Sequence, residues 1–326
     1  MEKEFKTGLV LGSFCPLHNG HLSLINFGLH NCDFLYIFLC SHDKEDIPGE
    51  VRYNWLLEEF KGVDKIKIIH KDTSHLENTS VSSVDVSKVW SVYLKELFPD
   101  VNVIFTSEKY GDYVAEFMNI KHMMFDEKRT TIPISSTLLK EKTLTYWEHI
   151  PESVKPYYTK KICICGTEST GKTTMTELLS TYYGVKHAKE VGRNICADTN
   201  MCDKDMINQI IIGQAEEIKK NLGNKILFSD TDLITTICYS EFLFNEHPEN
   251  ITKEIEEINK FDLYLYLWND VPFVDDGTRM GEPKRSKFHK LLFKSFKGKN
   301  VVVIKGDYNK RLNKCIDVVD KFISEN

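Results

Sequence analysis

The sequence lacks the features that direct a chain to a membrane or to nucleic acid. No apolar run is long enough to span a bilayer, and no secretory signal segment opens the chain. The net charge is −6 and no block of basic residues occurs, so nucleic acid is not an expected partner. Internal repeats and low-complexity tracts are also missing. These absences favour a globular, cytoplasmic chain with neither nucleic acid nor membrane as partner.

Disulfide and zinc-binding patterns are missing as well. The chain has 9 cysteines, an odd number, and no pair has the C-x-x-C spacing of a zinc site. Several of them lie within apolar runs: Cys40, Cys163, Cys165 and Cys238. We therefore expect reduced thiols that pack as small hydrophobic side chains.

The length suffices for about two domains. A chain of 326 residues with 41% hydrophobic and 28% charged residues can bury a core in each half. Pro151 and Pro156 interrupt the periodic pattern between the halves, because proline suits neither a helix interior nor a sheet. We predict a first domain over residues 1–145, a linker over 146–159 and a second domain over 160–326.

Short apolar runs alternate with helical patterns. In the first half, we predict helices over Arg52–Phe60 and Val86–Leu97. Strands are predicted over residues 7–12, 34–40, 64–70 and 101–106. This alternation predicts an α/β fold with a parallel sheet in each domain, and such sheets bind ligands at the carboxyl ends of their strands.

The segment from Gly166 to Thr173 has the complete G-x-x-x-x-G-K-T pattern of a phosphate loop. It follows an apolar run and precedes a helical pattern, a context that a glycine-rich turn with a chance lysine does not explain. Lys172 would reach the β and γ phosphates, and Thr173 would hold Mg²⁺. We predict an ATP or GTP site formed by Gly166, Thr167, Glu168, Ser169, Thr170, Gly171, Lys172, Thr173 and Thr174.

Acidic side chains follow later strands of this half. Asp230 ends an apolar run, a position that suits Mg²⁺ binding or proton abstraction, whereas Asp232 equally fits the cap of the next helix. Glu190 and Arg193 would face a phosphate acceptor, and a surface salt bridge is the alternative. The sequence leaves the catalytic base open between Asp230 and Glu190.

A polar stretch near residue 280 contains several basic residues. Arg279 and Arg285 would belong to a lid that closes over ATP. A solvated basic face is the competing interpretation.

Two histidines follow the first predicted strand. His18 and His21 are three positions apart, so in a first helical turn they share one face. Gly20 would let a phosphate approach the backbone at the start of this helix. Paired imidazoles there could donate hydrogen bonds to a reacting α-phosphate without a covalent intermediate. The alternative is a pair of histidines that only caps a helix.

The segment from Gly12 to His21 resembles the G-x-F-x-P-x-H-x-G-H signature of the nucleotidylyltransferase superfamily. Its second signature, I-S-x-T-x-x-R, resembles the segment from Ile134 to Lys140. Lys140 replaces the arginine there, which keeps the charge but loses the bidentate fork. The resemblance implies an ATP site formed by Gly12, Ser13, Phe14, His18, His21, Ile134, Ser135, Ser136, Thr137 and Lys140.

This domain followed by a phosphate-loop kinase resembles the bifunctional NadR-like proteins of NAD synthesis. The segment 107–111 is similar to their mononucleotide pocket, and 271–279 to their D-x-P-W-V-D-D-G-x-R, with Phe273 in place of tryptophan. The resemblance begins at the first strand, so we expect no DNA-binding helix-turn-helix in front of it. It implies a mononucleotide site with Arg52, Trp90, Tyr110 and Gly111, and a riboside site with Glu190, Arg193, Asp230, Phe273, Asp275 and Asp276.

The resemblance implies two consecutive reactions. The second domain would phosphorylate nicotinamide riboside, and the first would join the resulting mononucleotide to the adenylyl group of ATP, giving NAD and pyrophosphate. Mg²⁺ would be the cofactor and ATP the co-substrate, and the assembly, monomer or homo-oligomer, is left open. Lys140 motivates an alternative, a kinase whose catalytically weak N-terminal domain senses NAD. A nucleotide-sensing regulator that acts through a partner protein is the second alternative, against which both histidines and the phosphate loop argue.

Overall fold

The computed structural model describes residues 3–77, 83–196, 198–274 and 281–325. It forms two compact units, of which the first ends at Val154 and the second begins at Lys155. This division falls inside the segment predicted as a linker. Trp147, Ile150 and Val154 are buried, so the early part of that segment is packed rather than free.

All strands of the first unit run parallel in one sheet, in the order β3-β2-β1-β4-β5. The four predicted strands agree with β1 to β4 to within two residues at each end. The fifth was not predicted, because its four residues are half-buried or exposed and show no apolar run. The strands are β1 (Phe5–Gly12), β2 (Cys32–Ser41), β3 (Ile66–Asp72), β4 (Val103–Thr106) and β5 (Lys121–Met124).

Helices connect these strands and cover the sheet. The two helices predicted in this half correspond to α2 and α3. A 3-10 turn over Trp147–His149 follows the last helix of the unit. The helices are α1 (Asn19–Asn31), α2 (Gly49–Glu59), α3 (Val84–Leu97), α4 (Tyr110–Met118) and α5 (Ser136–Glu141).

The second unit is also built on a parallel sheet, in the order β10-β9-β6-β8-β7. Its strands are β6 (Lys160–Cys165), β7 (His187–Ala188), β8 (Ile226–Asp230), β9 (Leu263–Leu267) and β10 (Val301–Ile304). Its helices are α6 (Lys155–Tyr158), α7 (Lys172–Tyr183), α8 (Gly192–Ile195), α9 (Lys204–Lys220), α10 (Leu233–Phe244), α11 (Lys253–Ile258), α12 (Glu282–Ser295) and α13 (Tyr308–Ser324), with a 3-10 turn over Thr199–Met201.

Each sheet buries apolar side chains against its helices. Leu9, Phe38 and Ile104 pack with residues of α3 and α4 in the first unit. Ile164 and Phe228 pack with residues of α7 and α13 in the second. Burial of this kind, worth about 25 cal/mol per Å² of apolar surface, holds the strand ends in fixed positions for the loops that follow them.

The cysteines are unpaired, as the sequence predicts. Cys163, Cys165 and Cys238 are fully buried beside aromatic residues, where they fill space as small apolar groups. Within the described residues, no helix has the length and apolar character needed to cross a membrane.

Candidate active sites

A cavity of about 430 Å³ opens at the carboxyl ends of β1 and β4. The chain runs from β1 outward to β3 and returns to β4 on the other side of β1, and open parallel sheets bind ligands where the strand order reverses in this way. The cavity therefore lies where the fold predicts a ligand. Of the residues predicted to hold ATP or the mononucleotide, it is lined by Gly12, Ser13, Phe14, His18, His21, Trp90, Tyr110, Ile134, Ser135, Ser136 and Thr137.

The two histidines stack at the start of α1. Their ring centroids are 3.7 Å apart with an interplanar angle of 18°. Nδ1 of His18 accepts a hydrogen bond of 3.3 Å from the His21 backbone N–H, so His18 is the N-cap of the helix. Because Nδ1 accepts, the proton of the neutral His18 ring is on Nε2, which remains a donor. His18 can therefore cap the helix through Nδ1 and still donate a hydrogen bond to a phosphate through Nε2.

Both rings are uncharged at neutral pH. Burial lowers the pKa of His18 from 6.5 to about 3, and the positive charge of Arg129 acts in the same direction. Burial also lowers the pKa of His21, followed by the effects of His18 and Arg129. A Cβ on Gly20 would lie 2.9 Å from the His18 ring, so the glycine makes room for that ring. The site therefore presents neutral imidazole donors rather than two cations.

The second motif is tied to the first by a side chain. Ser135 caps α5, its Oγ accepting from the Leu138 N–H at 3.2 Å, an arrangement that stabilises a helix start by about 1 kcal/mol. The Ser136 hydroxyl donates to the Pro16 carbonyl at 3.3 Å. Lys140 ends this motif with its Nζ 2.8 Å from Oδ2 of Asp46, and it is not among the described residues that line the cavity.

Of the four residues predicted to hold the mononucleotide, only two line the cavity. Arg52 is fully buried, with Nη2 2.6 Å from Oε2 of Glu45 and Nη1 donating to the Ser13 carbonyl, so it supports the first motif from beneath. Trp90 lines the cavity and donates its indole N–H to the Glu77 carbonyl at 2.7 Å. Tyr110 is a buried residue of the cavity wall.

Gly111 lies behind that wall rather than in it. A Cβ there would be 2.6 Å from Oγ1 of Thr106, which hydrogen-bonds His122 at 2.9 Å. The glycine therefore allows α4 to pack closely on the end of β4.

Sequence reasoning missed Arg129, which lines the same cavity as the histidines. Its backbone is left-handed, with φ of +50°, and its N–H donates to the Asp126 carbonyl at 2.8 Å. The Asp126 carboxylate accepts from the N–H groups of Thr130 at 2.7 Å and Thr131 at 3.0 Å. The signal was an aspartate followed by threonines just before the second motif, a pattern typical of a side-chain-stabilised turn.

The phosphate loop of the second unit has the backbone that its motif predicts. Gly166 has φ of +142°, and a Cβ would lie 2.6 Å from the Leu267 carbonyl oxygen; Gly171 has φ of +83°. Both positions need glycine because the left-handed region and the close approach exclude a side chain. Lys172 is buried and its Nζ donates to the Thr167 carbonyl at 3.2 Å, inside the loop. Thr174 is exposed on α7.

Thr173 and Asp230 meet at the end of β8. The Thr173 hydroxyl donates to Oδ2 of Asp230 at 2.6 Å, and Oδ1 is buried with no partner among the described residues. Burial, followed by repulsion from Glu190, raises the pKa of Asp230. A hydroxyl and a buried carboxylate with an unused oxygen fit the donor set that Mg²⁺ prefers. Asp232 instead caps α10, its Oδ1 accepting from the Thr235 N–H at 3.0 Å.

A second cavity, of about 250 Å³, lies beside the phosphate loop. Glu190 and Arg193 line it and form an ion pair of 2.9 Å, so the salt bridge is present and the pair also faces a cavity. Glu168, predicted as an ATP residue, also lines it and accepts from the Thr199 hydroxyl at 2.9 Å. Tyr239 also lines this cavity, together with the apolar side chains of Ile207, Ile210 and Leu243.

Arg285 contacts the phosphate loop from α12. It is buried, its Nε donates to the Glu168 carbonyl at 3.0 Å, and its Nη2 has no partner among the described residues. Its guanidinium lies 5.3 Å from the centre of the Phe273 ring, so the aromatic face at that position makes a cation–π contact with Arg285. Asp275, Asp276 and Arg279 lie outside the described residues.

Sequence reasoning also missed Arg311, a buried residue of α13. Its Nη1 donates to the Thr170 carbonyl at 2.8 Å, its Nη2 to the Trp268 carbonyl at 2.7 Å and its Nε to the Gly306 carbonyl at 2.7 Å. The same guanidinium pairs with Asp270. One side chain thus fixes the phosphate loop to the ends of β9 and β10. Nothing in the local sequence of α13 distinguishes it from a surface arginine.

Two family models match the chain in separate stretches. A family described as cytidylyltransferase-like matches residues 9–142, which include both histidines and the second motif. A family described as AAA domain matches residues 161–311, from the strand before the phosphate loop to Arg311.

Curated relatives match across both units. The trifunctional NAD biosynthesis/regulator protein NadR of Escherichia coli (strain K12) is 29% identical over 350 residues, covering 98% of this chain and 83% of that protein. The protein of the same name from Salmonella typhimurium (strain LT2) is 28% identical over 348 residues, with the same coverage.

Solved structures share the fold. The crystal structure of a NadR protein in complex with NAD and AMP-PNP has a TM-score of 0.78 and 22% identity, covering 99% of this chain and 98% of that one. A NadR structure in complex with NR has a TM-score of 0.79 and 21% identity, with the same coverage. The fold class predicted from the sequence, a nucleotidylyltransferase-like domain followed by a phosphate-loop kinase-like domain, is confirmed.

Proposed function

We propose, from the premise that this chain is a homologue of the NadR proteins over nearly its whole length, that it makes NAD in two ATP-dependent reactions on separate domains. The C-terminal domain phosphorylates nicotinamide riboside to nicotinamide mononucleotide. The N-terminal domain transfers the adenylyl group of a second ATP to that mononucleotide. The domains are proposed to be residues 1–145 and 160–326.

In the adenylyl transfer, a phosphate oxygen of the mononucleotide attacks the α-phosphorus of ATP, and the bond to pyrophosphate breaks. His18 and His21 donate hydrogen bonds to the α-phosphate oxygens, where negative charge increases in the transition state. Their stacked, buried rings support this role, because they are neutral and pre-oriented before substrate binds. The N–H groups at the start of α5, at Ser135 and Ser136, would hold the β and γ phosphates.

In the kinase reaction, the 5′-hydroxyl oxygen of the riboside attacks the γ-phosphorus of ATP, ADP leaves, and the hydroxyl proton passes to a carboxylate. Mg²⁺ would neutralise charge on the phosphates when bound, held by Thr173 and Asp230. Glu190 lines the acceptor cavity, which supports it as the base, whereas Asp230 is bound to the loop threonine. Lys172 and Arg285 would contact the triphosphate.

The observation that carries this proposal is the presence of two nucleotide-binding motifs on two separate units, each beside a cavity of its own. The test is to mix the protein with Mg-ATP and nicotinamide riboside and to separate the products by chromatography. We expect mononucleotide and ADP first, then NAD and pyrophosphate. A second mixture, with mononucleotide in place of riboside, should give NAD without ADP.

Two outcomes would contradict it in different ways. Mononucleotide without any NAD would favour the alternative of a kinase with a weak, NAD-sensing N-terminal domain. The pairing of Lys140 with Asp46 motivates this alternative, because Lys140 stands where the family signature has a phosphate-binding arginine. No product from either mixture would favour a regulator.

A further inference from the structure

We propose that Arg129 supplies the guanidinium that holds the triphosphate of ATP in the adenylyltransferase cavity, in place of the arginine that ends the family's second signature. This inference rests on the proposed adenylyl transfer and assigns one of its binding residues. It concerns a residue outside both signatures.

The position of Arg129 is the first argument. It lines the same cavity as His18, His21 and the start of α5. Among the described residues of that lining, it is the one lysine or arginine. A triphosphate carries several negative charges, and a planar guanidinium can hold two phosphate oxygens at once.

The state of the histidines is the second argument. Burial keeps the pKa values of both His18 and His21 low, and the charge of Arg129 contributes to that lowering, which indicates that it lies within electrostatic reach of both rings. Because the rings are neutral, they offer hydrogen bonds but no charge. Among the described residues that line the cavity, Arg129 therefore supplies the full positive charge that would attract ATP.

The third argument is that Lys140 is already paired. Its Nζ lies 2.8 Å from Oδ2 of Asp46, and Lys140 is not among the described residues that line the cavity. Lysine at this position also lacks the planar fork of an arginine.

Arg129 is held in place by its backbone and is only loosely engaged by its side chain. The turn around Asp126 fixes its left-handed conformation through hydrogen bonds from the Arg129, Thr130 and Thr131 N–H groups. The guanidinium has a long contact, 3.7 Å, with Oε1 of Glu108, and both side chains are half exposed. Such an ion pair contributes little, so a phosphate can replace it.

The test compares Arg129→Gln and Arg129→Lys with Lys128→Gln, an exposed neighbour that removes the same charge one residue away. The left-handed backbone at position 129 is as strained for glutamine or lysine as for arginine, so neither substitution adds backbone strain. We expect Arg129→Gln to lower kcat/KM for ATP in NAD synthesis by about 10²-fold, mainly through KM, because charge-assisted hydrogen bonds to phosphate oxygens are lost on binding. Arg129→Lys should give an intermediate loss and Lys140→Met a smaller loss than Arg129→Gln. Riboside phosphorylation tests only the second unit, so urea unfolding followed by fluorescence of Trp55, Trp90 and Trp147 reports that the first unit is folded.

Three results separate this inference from the function on which it rests. If wild-type protein makes no NAD, the proposed function fails first. If it makes NAD and Arg129→Gln behaves like Lys128→Gln, or Lys140→Met is the more damaging change, the assignment to Arg129 is overturned. If Arg129→Gln raises the KM for mononucleotide and leaves that for ATP unchanged, the guanidinium holds the other substrate's phosphate and the assignment to ATP is overturned.

Discussion

The hydroxyl of Thr173 donates a 2.6 Å hydrogen bond to Oδ2 of Asp230, and this bond joins the phosphate loop to the end of β8. The second carboxylate oxygen is buried without a partner among the described residues. A buried carboxylate that is raised in pKa gains most from a cation, because the cation removes the cost of its buried charge. The pair thus supports Mg²⁺ binding more strongly than either residue would alone.

We expect Asp230→Asn to reduce riboside phosphorylation by about 10²-fold or more and to raise the Mg²⁺ concentration needed for half-maximal rate. The amide of asparagine keeps the shape of the carboxylate but not its negative charge. Steady-state kinase rates over a magnesium titration measure both effects. Glu190→Gln is the companion variant: it should lower kcat without moving the magnesium midpoint. If Glu190→Gln alone moved that midpoint, the metal and base assignments would be exchanged.

Lys172→Ala should abolish riboside phosphorylation, because we propose that the buried ammonium at the phosphate loop meets the β and γ phosphates. NAD formation from added mononucleotide should persist, since its motif lies on the other unit. The two rates are measured separately, with the exposed Lys186→Ala as control. Joint loss of both activities in a folded variant would contradict the two-site proposal.

His18→Ala and His21→Ala should each lower adenylyl transfer by about 10²-fold or more, the loss usual for one transition-state donor. His30, an exposed histidine on the same helix, gives the matched control His30→Ala. NAD synthesis from mononucleotide is the measurement, and riboside phosphorylation should be unchanged. Near-normal NAD synthesis in the first two variants would leave the histidines with the capping role alone.

Acid should destabilise the first unit through His18. Its folded pKa of about 3 lies below the ordinary 6.5, so the unfolded chain binds the proton first as pH falls, and stability is lost between those values. His18→Gln removes this contribution, so the variant should lose less free energy of unfolding than wild type between pH 7 and pH 5. Urea unfolding can be followed by fluorescence, because Trp55, Trp90 and Trp147 lie in this unit. An equal loss in variant and wild type would mean that His18 takes up its proton in the folded state.

Arg311→Lys should raise the KM for ATP in the kinase reaction more than it lowers kcat, because Arg311 positions the loop without contacting the reacting atoms. Lysine keeps the charge but has too few donors for the carbonyls of Thr170, Trp268 and Gly306. Arg311→Met should in addition destabilise the second unit by about 3 kcal/mol, since buried acceptors and Asp270 lose their partner. Kinetics and thermal unfolding together measure this. An Arg311→Lys variant with normal KM and lowered stability would assign a purely structural role.

Much of the fold could be predicted because its signals are local. The strands β1 to β4 are apolar runs with polar turns after them, and the phosphate loop needs glycine at two positions of fixed spacing. The edge strand β5 was missed because an edge position needs few apolar side chains. The early part of the predicted linker is packed, because Trp147 and Ile150, which precede Pro151, are buried.

The sequence by itself determined the order of the two domains, the parallel α/β fold and the segments that carry the phosphate-binding motifs, because each depends on neighbours within about ten residues. Only the tertiary structure decided what surrounds those motifs. Arg311 reaches the carbonyl of Thr170, 141 positions away in the chain, and Lys140 pairs with Asp46, 94 positions away. Glu168 lines the second cavity, and Arg129 lines the cavity of the histidines. These relationships depend on which strand ends the sheet brings together, and a charged side chain carries no local mark of the partner it will meet there.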